Sequence, residues 1–392
     1  MSRKNFCPSF VITIFLALYP LVVFSAELKI VPSISVREQY NDNVYFTERK
    51  KKDDYITILS PQLGISSRTE KSFFDATGTL EWRDYGKIDE LDFLTQRYII
   101  GGKYLFDPEV GISGSLGMMK DYSPDRDVTE TGLITRAIKR SRYTGSFGIQ
   151  KTFGEKTKSE VSIDYERVEY QHDPEYVDTN SYGASINLVQ IVTPRTSGRL
   201  SFGYSFYEQR RVENDYYYGM LGFGYSLEER WNLYVDGGLS YLRTDLEITP
   251  FVKKTEKGTG WVGRSVLSYK GEKETVDFTF YRRISPATGI YGVSERNFFS
   301  VTLSYRFTYE LSSSLEVSYI TNRAKKGKYA LSELDERTFL FTPRIRYNLS
   351  PNMFLEASYS FNRLRDRYAH STAKRNLFMI NFTIKHPIER GI

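Results

Sequence analysis

Between Tyr217 and Tyr241 the chain alternates without a break. One set of every-second residues reads Tyr217, Gly219, Leu221, Phe223, Tyr225, and after a short polar turn Trp231, Leu233, Val235, Gly237, Leu239, Tyr241. The residues between them are Tyr218, Met220, Gly222, Gly224 and Ser226, then Asn232, Tyr234, Asp236, Gly238 and Ser240. Successive side chains of a strand point to opposite faces, so each arm is a strand with one apolar face and one mixed face. Both arms are about twice the usual globular length, and roughly 9–11 tilted residues are what a strand needs to cross a bilayer. Each apolar face also begins and ends on an aromatic ring, the expected furnishing of two membrane interfaces. This stretch is read as a membrane-spanning β-hairpin.

Composition extends the same reading to the whole chain. With 31 Tyr, 26 Phe and 28 Gly against 1 Cys and 3 His, it suits a closed barrel with an apolar outer face and a wet interior. Arg3 and Lys4, the apolar run Phe10–Phe24 and the small residues Ser25-Ala26 predict a secretory signal peptide over 1–26, cut after Ser25 or Ala26. Cys7 precedes the apolar run, away from a lipobox position, which argues against a lipoprotein. With Cys7 removed, the mature chain has no disulfide, no thiolate metal site and no cysteine nucleophile. Beyond the leader no apolar run approaches the length of a membrane helix. The net charge of +6, interleaved with acids, does not argue for nucleic acid. No Pro- or Ser-rich linker divides 27–392, which is expected to be a single domain.

The connections define a topology. Short links recur at Arg68-Thr69-Glu70, Phe106-Asp107-Pro108, Phe153-Gly154-Glu155, Thr193-Pro194-Arg195, Glu228-Glu229, Gly271-Glu272, Tyr309-Glu310 and Ser350-Pro351-Asn352. Between them lie longer polar links such as Asn41–Asp54, Asp121–Ser141, Asp245–Gly258 and Asn322–Glu336. Short turns on one side and long loops on the other predict an all-β, transmembrane, antiparallel up-and-down β-barrel with periplasmic turns and extracellular loops. The expected count is about eighteen strands, running from roughly 28–38 to 375–385, with sixteen as the alternative. Pro61 and Pro343 fall inside predicted strands, where proline removes a ladder bond and marks a bulge or a boundary.

The face opposite the lipid nominates the functional residues. Pore-lining candidates are Asp75, Glu81, Arg83, Arg97, Lys103, Asp164, Glu166, Asp236, Asp277, Arg283, Arg344, Arg346 and Glu356. Two readings stay open for them: charges that solvate a water-filled pore and pair with one another, or rings that set selectivity. In the longest loop Asp125, Asp127, Arg136, Lys139 and Arg140 are constriction candidates, against the alternative of a surface loop. Tyr207, Tyr216, Tyr218, Tyr234 and Tyr281 fall on the inward face and suit the apolar faces of sugars; a one-residue register slip would turn them all to lipid. Catalysis finds little support: His172, His370 and His386 lie in loops or past the last strand, and no nucleophile elbow or phosphate loop is present. No cofactor or metal is expected, and the chain is read as a non-enzyme. The basic runs Arg49–Lys52 and Arg323–Lys328 suit lipopolysaccharide phosphates or simple solvation.

One segment carries a family likeness. Ile34 to Thr47, with Tyr40-Asn41-Asp42-Asn43 at its centre, and Asp54 to Pro61 after it, resemble the opening of a family of β-barrel porins that accompany exopolysaccharide biosynthesis, some of them alongside the PEP-CTERM sorting system of Gram-negative bacteria. The turn Leu227-Glu228-Glu229-Arg230-Trp231 is similar to that family's turns. The resemblance implies an outer-membrane conduit or accessory protein for exported polysaccharide, with outer-membrane lipid, lipopolysaccharide, polysaccharide and export-machinery proteins as partners. It transfers no catalytic residue. From the residues alone, Asn41-Asp42-Asn43 is either a tight polar turn or a cation or sugar site at the mouth. A general or small-solute porin and a sealed structural barrel remain the alternative functions.

Overall fold

The computed structural model describes residues 27–122, 138–170, 176–249, 252–286, 292–325, 330 and 333–391. The expected signal peptide, Asp125, Asp127, Arg136 and His172 lie outside the described residues. The strands are β1 Glu27–Asn41, β2 Asp54–Arg68, β3 Ser72–Tyr85, β4 Phe93–Leu105, β5 Val110–Tyr122, β6 Lys139–Phe153, β7 Thr157–Tyr170, β8 Thr179–Thr193, β9 Thr196–Gln209 and β10 Val212–Leu227. They continue as β11 Trp231–Thr249, β12 Val252–Lys270, β13 Glu274–Pro286, β14 Val293–Arg306, β15 Leu311–Ala324, β16 Leu334–Ser350, β17 Met353–Asp366, β18 Ser371–Lys385 and β19 Ile388–Gly391.

Each of β1 to β18 pairs antiparallel with its sequence neighbours in that set, and β1 pairs with β18, which closes the barrel at eighteen staves. The sixteen-strand alternative falls away. The four residues of β19 resume the stave after His386-Pro387 and pair with Glu27–Ile30 at the foot of β1.

Register and exposure together separate outside from inside. One row of facing partners runs Phe223, Val235, Ser265, Phe280, Phe299, Tyr319, Phe339 across seven adjacent strands. Its members and their every-second neighbours supply the exposed apolar residues, among them Leu221, Leu239, Trp261 and Ile345. This belt is bounded by aromatic clusters at both ends. Tyr204, Tyr217 and Tyr241 stand at one level, with Tyr204 and Tyr217 4.9 Å apart, while Trp231 and Tyr269 stand 4.7 Å apart at the other. Ten residues separate Trp231 from Tyr241, which spans about 25 Å in a tilted strand.

The strands outrun the sequence expectation at the loop end. Of Asp245–Gly258, expected as a long link, the described residues are strand: β11 and β12 stay paired out to Thr249 and Val252. Tyr40 and Asn41, expected in a loop, complete β1, and Lys139 and Arg140 open β6. The reason is shared, since polar alternation above the lipid belt still satisfies backbone groups by pairing although it no longer reads as apolar and polar.

The two prolines also differ from expectation. Neither marks a bulge or a boundary. Pro61 keeps its pairing with Ile34 on β1 while the β2–β3 ladder skips from Leu59–Trp82 to Gln62–Thr79. Pro343 keeps Leu315 on β15 while β16–β17 skips from Phe341–Phe361 to Arg344–Ser358. A missing N–H interrupts one ladder only, and pairing on the other side carries the strand through.

Candidate functional site

The thirteen pore-lining candidates all occupy the inward set of this register. Trp82 faces outward opposite Leu59 and Leu94, which turns Glu81 and Arg83 inward, and the same parity places Asp75 there. Arg97 and Lys103 follow on β4, Asp164 and Glu166 on β7, and Asp236 on β11. Asp277 and Arg283 follow on β13, and Arg344, Arg346 and Glu356 on β16 and β17.

Six of the thirteen charges are paired along the wall. Arg83 lies 3.4 Å from Glu81, Arg344 3.4 Å from Glu356, Arg142 3.8 Å from Glu166 and Arg199 3.3 Å from Asp236. Arg37 sits within electrostatic reach of Glu81, Arg83, Glu356 and Arg344, so β1, β3, β16 and β17 share one charge belt. Arg37 and Arg199 escaped sequence reasoning; their inward parity on β1 and β9 was the signal available. Among the described residues Asp75, Arg97, Lys103, Asp164, Asp277, Arg283 and Arg346 form no salt bridge.

The five inward tyrosines lie on β9 to β13, and three of them converge. Tyr207 on β9 and Tyr216 and Tyr218 on β10 pack in one cluster, with Tyr216 and Tyr218 5.8 Å apart, while Tyr281 stands on β13. Tyr281 stacks on Phe298 at 4.8 Å, and the Arg283 guanidinium covers Tyr281 at 4.9 Å. Asp164 and Arg283 lie within electrostatic reach of both Tyr207 and Tyr218. Gly203 makes room for this wall, because a Cβ there would collide with the Tyr218 ring. Tyr234 lies apart on β11 with Arg199 5.8 Å over its ring.

The two ends of the lumen differ. Toward the turns, inward Lys103, Glu160, Arg264, Arg306 and Arg344 are exposed. Toward the loops, inward Ile56, Ile58, Leu242, Leu246, Ile320, Asn362 and Arg375 are fully buried or nearly so. Two described segments account for part of this. Phe46, in the β1–β2 link, packs on Ile320, Leu340, Leu364 and Ala373 from the inner walls of β15 to β18, and Arg375 covers its ring at 4.8 Å. On the other side β13 leaves β12 above Gly263–Arg282, and Ile284 and Val293 pack on Tyr216, Leu242 and Val262.

The motif Tyr40-Asn41-Asp42-Asn43 positions that Phe46 ring. Asn41 Oδ1 accepts from the Asn43 amide at 2.9 Å, and Asn43 Oδ1 accepts from the Thr47 amide at 3.0 Å. Asn43 Nδ2 donates to Thr47 O at 2.7 Å and to Lys374 O at 2.9 Å. Phe46 is thereby held at φ 49°, a left-handed conformation that a bulky residue adopts only under such constraint. Asp42 spends both carboxylate oxygens on Asn376 of β18.

Of the constriction candidates within the described residues, Arg140 bonds Asp121 from the β6 wall through two nitrogens at 3.0 Å, and Lys139 stands on the rim with its ammonium 5.8 Å from the Phe93 ring. His370 sits in the β17–β18 turn and His386 between β18 and β19. Among the described residues no three His, Cys, Asp or Glu side chains converge as metal ligands.

The sequence from residue 28 to 186, less than half of the chain, matches the family described as "Putative beta-barrel porin 2". Among solved structures, Pseudomonas aeruginosa OccK3 (OpdO) aligns over 95% of this chain and 99% of its own at 12% identity and a TM-score of 0.47. Acinetobacter baumannii OccAB4 aligns over 93% of this chain and 99% of its own, at 12% identity and TM-score 0.49. The ferric citrate transporter FecA, unliganded, aligns over 87% of this chain and 60% of its own at 10% identity and TM-score 0.50. At such identities the likeness concerns the fold. No curated protein sequence matches the chain.

Proposed function

We propose that this barrel is an outer-membrane conduit for an exported, hydroxyl-rich polymer such as exopolysaccharide, reached from the periplasm and gated at its outer end. The observation that carries the reading is the cluster of Tyr207, Tyr216 and Tyr218 beside Asp164 and Arg283, with the Arg283 guanidinium also over the Tyr281 ring. Aromatic faces flanked by charged hydrogen-bonding groups suit sugar rings, which present apolar faces and hydroxyl edges. The exposed apolar belt and its aromatic girdles support a lipid-embedded barrel. The exposed run Arg49–Lys52 offers cations to lipopolysaccharide phosphates, and export-machinery proteins are the natural source of a gating partner.

Phe46 and the β13–β14 hairpin favour a second reading, a porin for small solutes, because the packed outer end narrows what passes. Planar-bilayer recording of the refolded protein, with and without an anionic polysaccharide, separates the two. Steps that the polysaccharide blocks support the polymer conduit, and steps indifferent to it support the small-solute porin. Silence in both the wild type and a Phe46→Ala variant, with the barrel correctly folded, would sink both and leave a sealed structural barrel.

A further inference from the structure

At the turn end of the lumen a cavity of about 460 Å³ opens between the β12–β13 turn and the inner faces of β14 to β17. That volume lies within the range of small-ligand sites, about 300–1,000 Å³. Its cations are Lys270, Lys273, Arg306, Arg344 and Arg346, and its carboxylates are Glu272, Glu274 and Glu356, a surplus of two positive charges (5 − 3). The three carboxylates are not equivalent. Glu356 is engaged by Arg344 at 3.4 Å, and Glu274 accepts from the Tyr269 hydroxyl at 3.1 Å.

Among the described residues Arg346 forms no ion pair. Its guanidinium lies 3.5 Å over the Phe354 ring, which fixes the plane of the fork, and its buried Nε has no hydrogen-bond partner. Lys385 stands 5.4 Å from the same ring and adds positive potential. Arg306 is anchored through one nitrogen to Glu272 O at 3.1 Å. A stacked, preoriented guanidinium with a free edge is the arrangement that binds a planar carboxylate through two hydrogen bonds. Ser304, Ser312 and Ser314 line the same cavity with hydroxyls that both donate and accept.

We infer that this cavity is a binding site for the acidic sugar of a saccharide entering from the turn end, with Arg346 and Arg306 taking its carboxylate and the serines its hydroxyls. The inference rests on the conduit reading for its direction of entry, and it adds the substrate class: uronate-bearing saccharide over neutral saccharide.

The full chain, purified in detergent, is titrated calorimetrically with trigalacturonate, maltotriose and inorganic phosphate. Trigalacturonate is expected to bind, maltotriose not, and about 0.5 M salt to weaken binding, since the contact is ionic and partly exposed. An Arg306→Gln/Arg346→Gln double variant is expected to lose about tenfold or more in affinity, and Arg346→Lys, which keeps the charge without the fork, to retain only part of it. Heat-modifiable gel mobility shows that each variant is folded. Equal binding of maltotriose, binding unchanged in the folded double variant, or no binding of trigalacturonate overturns the site. Phosphate binding as tightly as trigalacturonate overturns its saccharide character. A barrel that conducts yet fails to bind trigalacturonate loses this site and keeps its pore; one that binds and never conducts keeps the site and loses the pore.

Discussion

Asp42 and Asn376 fasten the two ends of the barrel together. Asp42 Oδ1 accepts from the Asn376 amide at 2.7 Å, its Oδ2 accepts from Asn376 Nδ2 at 2.6 Å, and its own amide donates to Asn376 O at 3.2 Å. The bonds extend the β1–β18 pairing one residue past its last rung, Asn41 opposite Leu377. Asp42→Ala removes two charge-assisted bonds and is expected to lower stability by about 2 kcal/mol in reversible urea unfolding. Asp42→Asn, which keeps one acceptor, is expected to fall between. A loss no larger than that of an exposed-loop substitution would show that the seam does not depend on this clasp.

Phe46 fills the mouth against Ile320, Leu340, Leu364 and Ala373, and Asn43 holds the backbone that delivers it. Phe46→Ala is expected to raise the open probability or step size in bilayer recordings. Asn43→Ala should do likewise by releasing the same ring, with an added loss of about 1–3 kcal/mol for the buried groups it leaves unpaired. Recordings indistinguishable from wild type for both variants would show that the ring does not control the opening.

The Arg140–Asp121 pair lies on the inner wall with side chains 0% and 5% exposed. Removing one partner strands a buried charge, so Arg140→Met is expected to cost about 3–5 kcal/mol, while Arg140→Met/Asp121→Leu recovers most of it. Urea unfolding of the two variants checks the order. If the double variant is no more stable than the single, the loss comes from packing and the charge is not the cause.

Eighteen staves, the inward set and the outward set were legible because period-two alternation inside the lipid belt is physically forced: a one-residue slip would carry Asp164 or Arg344 into hydrocarbon. Above the belt that force disappears. Thr255 bonds Asp245 across β11 and β12 at 2.6 Å, a polar rung that alternation of apolar and polar residues cannot announce, and so this stretch read as a loop. The packing of Phe46 against β15–β18 was hidden for a different reason. It depends on residues about 270–330 positions away, and nothing local to Phe46 marks it as buried. Asn41-Asp42-Asn43 read as a turn or a ligand site, and its side chains turn out to bond Asn376, Lys374 and Thr47 of the chain itself.

Asp53 and Lys87 tie the β1–β2 link to the β3–β4 link by an ion pair of 2.5 Å. The Lys87 ammonium holds the Asp53 carboxyl below its ordinary value of 3.8, and Asp53 holds Lys87 above its ordinary 10.5. A depressed carboxyl contributes above its unfolded value and loses that contribution as pH falls through the folded one; a raised ammonium contributes below its unfolded value and loses it as pH rises through the folded one. The tie is therefore intact across neutral pH and released at both extremes, on the acid side below pH 3.8 and on the alkaline side above pH 10.5. A carbon-13 titration of the Asp53 carboxyl in micelles is expected to show a midpoint below 3.8 that moves upward in Lys87→Gln. A midpoint already at the ordinary value in the wild type would rule the tie out.

Gln209 holds the other inward element. Its Oε1 accepts from the Gly292 amide at 2.5 Å, and its Nε2 donates to the Thr179 hydroxyl at 3.1 Å. Gly292 has φ 113°, a conformation closed to residues with a Cβ, just before Val293 turns onto Ile284 and Tyr216. Gln209→Ala leaves the Gly292 amide without this acceptor and is expected to loosen the β13–β14 hairpin while the eighteen-strand ladder persists. Amides of Gly292–Ser294 should exchange faster with deuterium in the variant, with those of the β10–β11 ladder unchanged, because the Gln209 bond holds Gly292 and takes no part in that ladder. Gly292→Ala reaches the same hairpin through its backbone and is expected to give the same local acceleration. Uniform acceleration through the barrel in either variant would make Gln209 and Gly292 part of the global stability of the wall, and the hairpin would then not be a separately held element of the mouth.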